Sequence, residues 1–125
     1  MIRVTFAILL VLTLAGCALF GGGRPDYVVF FQERSATLDP PAHDVVAHAA
    51  QRAQQSPTAA VQVIGYTDSA GSPQADIVLS QQRAQAVADA LVADGVASSR
   101  LVRLGQGQTG GNPGVMSRRV EIRIE

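Results

Sequence analysis

The middle of the chain reads GYTDSAG over residues 65–71 and LSQQRAQAVADALVADG over residues 79–95. The first stretch completes a β-branched strand over residues 61–66 and then becomes rich in Gly, Ser and Asp, which is typical of a turn. The second stretch continues a helix predicted over residues 74–94, and Gly95 follows as its stop. The apolar residues at helical spacing are Ile77, Ala84, Val87, Ala88 and Leu91.

The alternation of strand and helix extends to both sides of this centre. Residues 27–31 and 101–104 predict strands, and a helix is expected between Asp39-Pro40-Pro41, which suit a capped first turn, and Ser56-Pro57. Residues 105–116 predict a Gly-rich loop. The final strand, RVEIRIE over residues 119–125, alternates charged and apolar residues, so one face is predicted dry and the other wet. This order indicates an α/β (α+β) two-layer sandwich with helices on one side of a small sheet.

Composition narrows the class of function. The chain has 125 residues, 47% of them hydrophobic, which allows one small domain. Its formal net charge is +0, so it lacks the basic excess of a nucleic-acid binder.

His43 and His48 lie five apart and do not share a helix face, so no metal site is predicted. Residues 105–110 match Gly-x-Gly-x-x-Gly, but glycine and proline follow, so a connection is expected instead of a dinucleotide site. No nucleophile has a base beside it, and we predict neither an enzyme nor a cofactor.

The N-terminal segment has the layout of a secretory signal: a short basic start, an apolar run and small residues. Residues 14–17 read LAGC and resemble the lipobox of bacterial lipoproteins. The resemblance implies that residues 1–16 form a signal peptide and that Cys17 carries the acyl groups, palmitate among them. Residues 17–26 then form a short Gly-rich tether, and residues 27–125 form the domain. Ala18, where many inner-membrane lipoproteins of Gram-negative bacteria have Asp, favours the outer membrane.

Three separated motifs resemble the OmpA-like domain family of peptidoglycan binders, which outer-membrane porins, peptidoglycan-associated lipoproteins and flagellar stator subunits share. The family pattern is Gly-His-Thr-Asp-x-x-Gly, then Leu-Ser-x-x-Arg-Ala-x-x-Val-x-x-x-Leu, then Asn-Arg-Arg-Val-Glu. Residues 65–71, 79–91 and 117–121 follow it in order, except that Tyr66 replaces the His of the first motif and Ser117 replaces the Asn of the third. The resemblance implies the family's βαβαββ order and a small mixed sheet covered by helices on one face.

The resemblance also implies a site for the diaminopimelate of the peptidoglycan stem. The Asp of the turn, here Asp68, meets the ligand's ammonium group, and the Arg of the helix, here Arg83, meets its carboxylate. Arg suits this role because its planar fork binds a carboxylate bidentately. Thr67 and Asp76 complete the expected set. Asp76 stands where the family has Asn, and its extra carboxylate is expected to compete for the Arg83 guanidinium.

The sequence thus predicts an outer-membrane lipoprotein whose domain faces the periplasm and tethers the membrane to the wall. Peptidoglycan, the membrane itself and Tol-system or other envelope proteins are the expected partners. Two alternatives stay open: an accessory subunit of an envelope machine, and a protein-interaction module that has lost its ligand. From the residues alone, Asp68 could equally be a turn cap, and Arg83 could form an internal ion pair with Asp68 or Asp76.

Overall fold

The computed structural model describes residues 23–68, 71–110 and 114–125. The predicted signal peptide (residues 1–16), Cys17 and all but the last four residues of the predicted tether lie outside these ranges. Within the described ranges, no helix is both long and apolar enough to cross a membrane.

The described chain contains four strands and two α-helices, in the order β1, α1, β2, α2, β3, β4, as predicted. Short 3-10 turns over Ser98–Arg100 and Val115–Ser117 precede β3 and β4. The bounds are β1 Tyr27–Phe30, α1 Pro40–Gln54, β2 Val61–Thr67, α2 Pro73–Ala93, β3 Leu101–Gln108 and β4 Arg119–Ile124.

The sheet has the strand order β1-β4-β2-β3. β4 runs antiparallel to both of its neighbours, whereas β2 and β3 are parallel and are joined through α2. The C-terminal strand therefore lies inside the sheet, which explains its apolar alternation. The mixed sheet confirms the predicted fold class.

Both helices begin at side-chain caps, and the sequence predicts the first of them, Asp39. The Asp39 carboxylate accepts a hydrogen bond from the Ala42 N–H at 2.9 Å, and the Ser72 hydroxyl accepts one from the Ala75 N–H at 3.1 Å. Gly95 follows α2 with φ of 104°, a conformation that glycine adopts without strain. These local signals explain why the predicted helix bounds agree closely with the structure.

The core fills the space between the sheet and the two helices. It is built from Val, Ala, Ile, Leu and one Phe, and every member lies between Val29 and Ile122. The segment from residue 23 to residue 125 thus contains the whole described core.

Helix α2 packs unusually close to β2 and β3. Gly65 and Gly105 are register partners on these strands, and both lie against Ser80 of the helix. A Cβ atom on Gly65 would clash with the Ser80 carbonyl oxygen. The Ser80 hydroxyl donates to the Ile77 carbonyl at 2.7 Å and accepts from the Gly107 N–H at 2.9 Å. Ser80 therefore fastens the helix to the strand.

Two details of this region differ from the prediction. β3 continues to Gln108, so residues 105–108 form strand where a loop was expected. Gly105 and Gly107 have no side chains, and this allows α2 to pack directly against the strand. Since the Gly-x-Gly-x-x-Gly run lies largely on a strand, it opens no helix. Ile77, predicted in the apolar stripe, is 43% exposed, whereas the other four members of that stripe are buried.

The outer face of β4 is drier than the alternating pattern predicts. Glu121 is only 7% exposed and forms ion pairs of 3.1 Å with both Arg119 and Arg123. The Arg119 guanidinium also lies 4.3 Å from the centre of the Tyr66 ring. The charged side chains on this face therefore form ion pairs and are largely shielded from water.

Candidate functional site

The candidate site lies beyond the end of β2, where the chain turns toward α2. A cavity of about 310 Å³ opens there, and small-ligand sites typically measure about 300–1,000 Å³. Three segments line it: the loop after β1, the turn after β2 and the first turns of α2. The lining residues are Glu33, Arg34, Asp68, Gly71, Ala75, Asp76 and Leu79. Of the four predicted binding residues, Asp68 and Asp76 line the cavity, while Thr67 and Arg83 are each 1% exposed.

Arg83 projects from α2, and three backbone carbonyls surround its guanidinium. Its Nε donates to the Ser35 oxygen at 2.8 Å, Nη1 to the Tyr66 oxygen at 3.1 Å and Nη2 to the Gln32 oxygen at 3.0 Å. Its guanidinium carbon also lies 5.4 Å from the centre of the Phe31 ring. Arg83 thus joins the loop after β1 to the end of β2, and within the described ranges it forms no ion pair.

The charge of Arg83 is buried but electrostatically supported. Burial lowers the pKa of its guanidinium from the ordinary value, the Asp68 carboxylate raises it, Arg118 lowers it and Asp76 raises it. An arginine keeps its proton under such conditions. The end of β2 therefore contains a fixed positive charge close to two carboxylates.

Asp68 forms its ion pair with Arg118, which precedes β4. The distance from Arg118 Nη1 to Asp68 Oδ2 is 3.4 Å, and each side chain is 14% exposed. Arg118 Nε also donates to the Phe31 carbonyl at 3.1 Å, and its Nη1 lies 4.0 Å from the Glu33 carboxylate. Arg118 therefore positions Asp68 at the cavity wall, and of the two internal pairs considered for Arg83, neither forms.

Asp76 is held by Gln108 at the end of β3. The Gln108 Nε2 group donates to Asp76 Oδ2 at 2.6 Å and to the Gly71 carbonyl at 3.2 Å. A Cβ atom on Gly71 would lie 2.9 Å from Asp76 Oδ1, so glycine allows the turn to approach the carboxylate. The expected competition for the Arg83 guanidinium does not appear as a direct contact, because Gln108 occupies one oxygen of Asp76.

Thr67 contributes mainly to the fold in this structure. Its carbonyl accepts a hydrogen bond from the Thr109 N–H at 3.2 Å. Its hydroxyl oxygen is buried and has no hydrogen-bond partner among the described residues. Its predicted role as a ligand contact stays a prediction.

Four charged or polar residues of the site were not identified from the sequence: Glu33, Arg34, Gln108 and Arg118. Arg118 belongs to the closing motif and could have been identified as a candidate there, but motif position alone does not show that it pairs with Asp68. Gln108 was assigned to a loop. Arg34, in a segment without regular pattern, gives no sequence signal.

The fold and site define a small α+β sandwich with a charged cavity at one end of its sheet. A profile of the OmpA family matches residues 30–115, and the chain belongs to that family. OmpA-like domains are a peptidoglycan-binding family and not an enzyme family. The described residues include no group of three or more His, Cys, Asp or Glu side chains that could hold a metal ion.

The chain is similar in sequence to a probable lipoprotein and to a peptidoglycan-binding protein. The probable lipoprotein YiaD of Escherichia coli is 44% identical over 79 residues, which make up 63% of this chain and 36% of YiaD. The peptidoglycan-binding protein ArfA of Mycobacterium tuberculosis is 39% identical over 79 residues, 63% of this chain and 24% of ArfA. This chain therefore matches only about a third or less of the length of either relative.

Solved structures share the fold. The peptidoglycan-associated lipoprotein from Burkholderia pseudomallei superposes with a TM-score of 0.73 at 23% identity, over 79% of this chain and 90% of that one. The periplasmic domain of MotB superposes with a TM-score of 0.63 at 23% identity, over 75% of this chain and 56% of that one. At such identities the likeness concerns the fold alone.

Proposed function

We propose that this protein binds peptidoglycan non-covalently through the cavity beside Asp68 and has no enzymatic activity. We further propose that acyl groups on Cys17 anchor it in the outer membrane, so that the periplasmic domain tethers that membrane to the wall. Family membership supports the ligand class. The observation that carries the proposal is the Asp68 carboxylate on the cavity wall, with the buried Arg83 cation close enough to interact electrostatically with it.

The charges suit the zwitterionic head of diaminopimelate. Oδ2 of Asp68 pairs with Arg118, and Oδ1 is left for a ligand. Asp68 therefore receives the ligand ammonium group. Arg83 supplies the positive charge that complements the ligand carboxylate. Because the Arg83 side chain is 1% exposed and donates to three backbone carbonyls, its contribution is the electrostatic attraction of its buried charge.

The whole cluster is balanced in charge. Three carboxylates line the cavity, those of Glu33, Asp68 and Asp76. Three guanidinium groups compensate them: Arg34 on the cavity wall, and Arg83 and Arg118 in contact with the surrounding loops. A cluster without net charge favours a ligand that carries both signs over a simple anion or cation.

Cosedimentation with purified diaminopimelate-type sacculi tests wall binding. Residues 23–125 should pellet with the sacculi, and Asp68→Ala should weaken binding by about 2 kcal/mol or more, because it removes one partner of a buried charge contact. Asp44→Ala, which removes an exposed carboxylate from α1, should bind like the wild type. Wild-type protein that stays in the supernatant would contradict the proposal and favour a protein-interaction module.

Membrane fractionation tests the anchor separately. The full chain should partition into outer membranes. Cys17→Ser should release it, because the variant lacks the residue that carries the acyl groups of the anchor. Fractionation with the inner membrane would contradict the outer-membrane tether. Recovery of stoichiometric Tol or secretion proteins with a chain that does not bind sacculi would favour the envelope-machine alternative.

A further inference from the structure

A tight turn after β1 carries an arginine in a conformation that L-residues avoid. The Ser35 N–H donates to the Gln32 carbonyl at 3.2 Å, which closes a four-residue turn with Glu33 and Arg34 at its centre. Arg34 has φ of 53°, and among the described residues it is the only non-glycine with positive φ. Glycine or asparagine usually occupies such a position, because a Cβ atom is strained there.

Arg83 fixes this turn at both ends. Its guanidinium binds the carbonyls of Gln32 and Ser35, the first and last residues of the turn. The side chains between these two anchors are left to project outward, and both Glu33 and Arg34 are exposed. Helix α2, through Arg83, therefore fixes the positions of Glu33 and Arg34.

The Arg34 guanidinium is the accessible positive charge of the cavity. Arg34 lines the cavity and forms no ion pair with any described residue. Arg83 and Arg118, by contrast, use their guanidinium groups on backbone carbonyls and, for Arg118, on carboxylates. Such a guanidinium is suited to bind a carboxylate of a ligand through two parallel hydrogen bonds.

We propose that Arg34 binds a second carboxylate of the stem peptide, in addition to the zwitterionic head. In the stem peptide, D-glutamate is linked directly to diaminopimelate, and its α-carboxyl group is the carboxylate that we assign to Arg34. The site should therefore distinguish stems in which this carboxyl is free from stems in which it is amidated. This inference rests on the proposed function and assigns to it a specificity-determining residue.

An ordinary solvated surface arginine is the simplest alternative, and the backbone argues against it. If the turn alone mattered, glycine would satisfy φ of 53° without strain. A strained residue persists where surrounding contacts enforce its conformation, as the two bonds from Arg83 do here. The strain thus coincides with the exposed cation that lines the cavity and forms no ion pair with a described residue.

Calorimetric titration of residues 23–125 with two synthetic peptides tests the inference. The first is L-Ala-γ-D-Glu-meso-diaminopimelate, and the second is the same peptide with the glutamate α-carboxyl amidated. Wild type should bind the free acid about tenfold more tightly, since a hydrogen bond to a charged group is lost on amidation. Arg34→Gly should bind both peptides equally, with the affinity that wild type has for the amide.

Controls separate this role from a structural one. Arg34→Gly should melt at the temperature of the wild type or above it, because glycine suits the turn. Arg24→Gly removes an exposed arginine outside the cavity and should keep the full preference. A preference retained in Arg34→Gly, or wild type that binds both peptides equally, would overturn the inference while leaving the proposed function intact. Wild type that binds neither peptide would overturn both.

Discussion

Two arginines secure opposite ends of β2 by the same chemistry, and the cavity lined by Asp68 and Asp76 opens at the Arg83 end. Beyond the strand's end, Arg83 donates to three carbonyls that include that of Tyr66. Before its start, Arg100 donates to the carbonyls of Ala59, Ala53 and Ser56 at 2.9, 3.0 and 2.6 Å. Each guanidinium thereby joins three backbone carbonyls.

The difference between the two ends lies in the surroundings. Arg83 interacts electrostatically with Asp68 and Asp76, and both of these carboxylates line the cavity. Arg100 forms no ion pair with the described residues, and its bonds close the end of α1. Bonds from an arginine to several carbonyls therefore serve the fold at both ends of β2, and neighbouring carboxylates and open volume distinguish the Arg83 end, where we propose that the ligand binds.

The largest effect is expected from Arg83→Ala. It removes three hydrogen bonds and leaves buried carbonyls and a void, so the free energy of unfolding should fall by about 3–5 kcal/mol. Sacculus binding should be lost with it. Urea denaturation and cosedimentation measure the two effects, and Arg83→Lys serves where the alanine variant does not fold. Arg83→Lys should recover part of the stability but not the binding, because one ammonium group cannot replace the fork.

Arg100→Ala should affect stability alone. Because Arg100 is partly exposed, loss of its three bonds should lower the free energy of unfolding by about 2 kcal/mol. Affinity for sacculi should stay that of the wild type at a temperature where both proteins are folded. If Arg100→Ala lost binding as completely as Arg83→Ala, the distinction between the two ends would be wrong.

A smaller effect is expected from Asp76→Asn. Asparagine keeps the shape but weakens the bond from Gln108 and the favourable charge in the first turn of α2, which together stabilise by about 1 kcal/mol. Peptide affinity should change much less than in Asp68→Asn, because Asp68 is the proposed ammonium contact. Equal losses of affinity in the two asparagine variants, measured by calorimetry, would show that Asp76 also contacts the ligand.

The smallest effect concerns Tyr66, whose carbonyl serves Arg83 while its ring faces Arg119 on the outer side of the sheet. Burial and then Glu121 raise the pKa of the Tyr66 phenol above its ordinary value of 10.0. A raised pKa favours the protonated phenol in the folded state, so this contribution is present below pH 10 and is lost as the pH rises through the folded value. Tyr66→Phe should flatten the alkaline loss of stability without changing ligand affinity, as denaturation at a series of pH values would show. A slope identical to that of wild type would contradict the assignment.

Local signals allowed most of the fold to be predicted. Asp39 and Gly95 determine helix ends through their own backbone neighbours, and β-branched runs identify the strands. The extent of β3 was missed because Gly105 and Gly107 resemble loop residues, whereas they are required by Ser80 on a helix that is distant in sequence. The burial of Glu121 was missed for the same reason, since its ion pairs depend on how neighbouring side chains stack across the outer face.

For the site, the motifs identified the right segments but not their contacts. The sequence places Asp68 after a strand and Arg83 on the following helix, and the structure brings their charges close together. The carbonyls that Arg83 binds on Gln32 and Ser35 lie 51 and 48 residues away along the chain, so no local pattern could reveal them. The partner of Asp76, Gln108, is likewise 32 residues distant.

An NMR titration tests the central claim most directly. Residues 23–125, labelled with ¹⁵N, are titrated with L-Ala-γ-D-Glu-meso-diaminopimelate, and backbone amide shifts are mapped. The largest shifts should fall on Arg34, Asp68 and Gly71 at the cavity, while Ala59 and Arg100 at the other end of β2 stay unchanged. Shifts centred on Arg100, or no saturable shifts at the cavity, would contradict the assignment of the Arg83 end as the binding site.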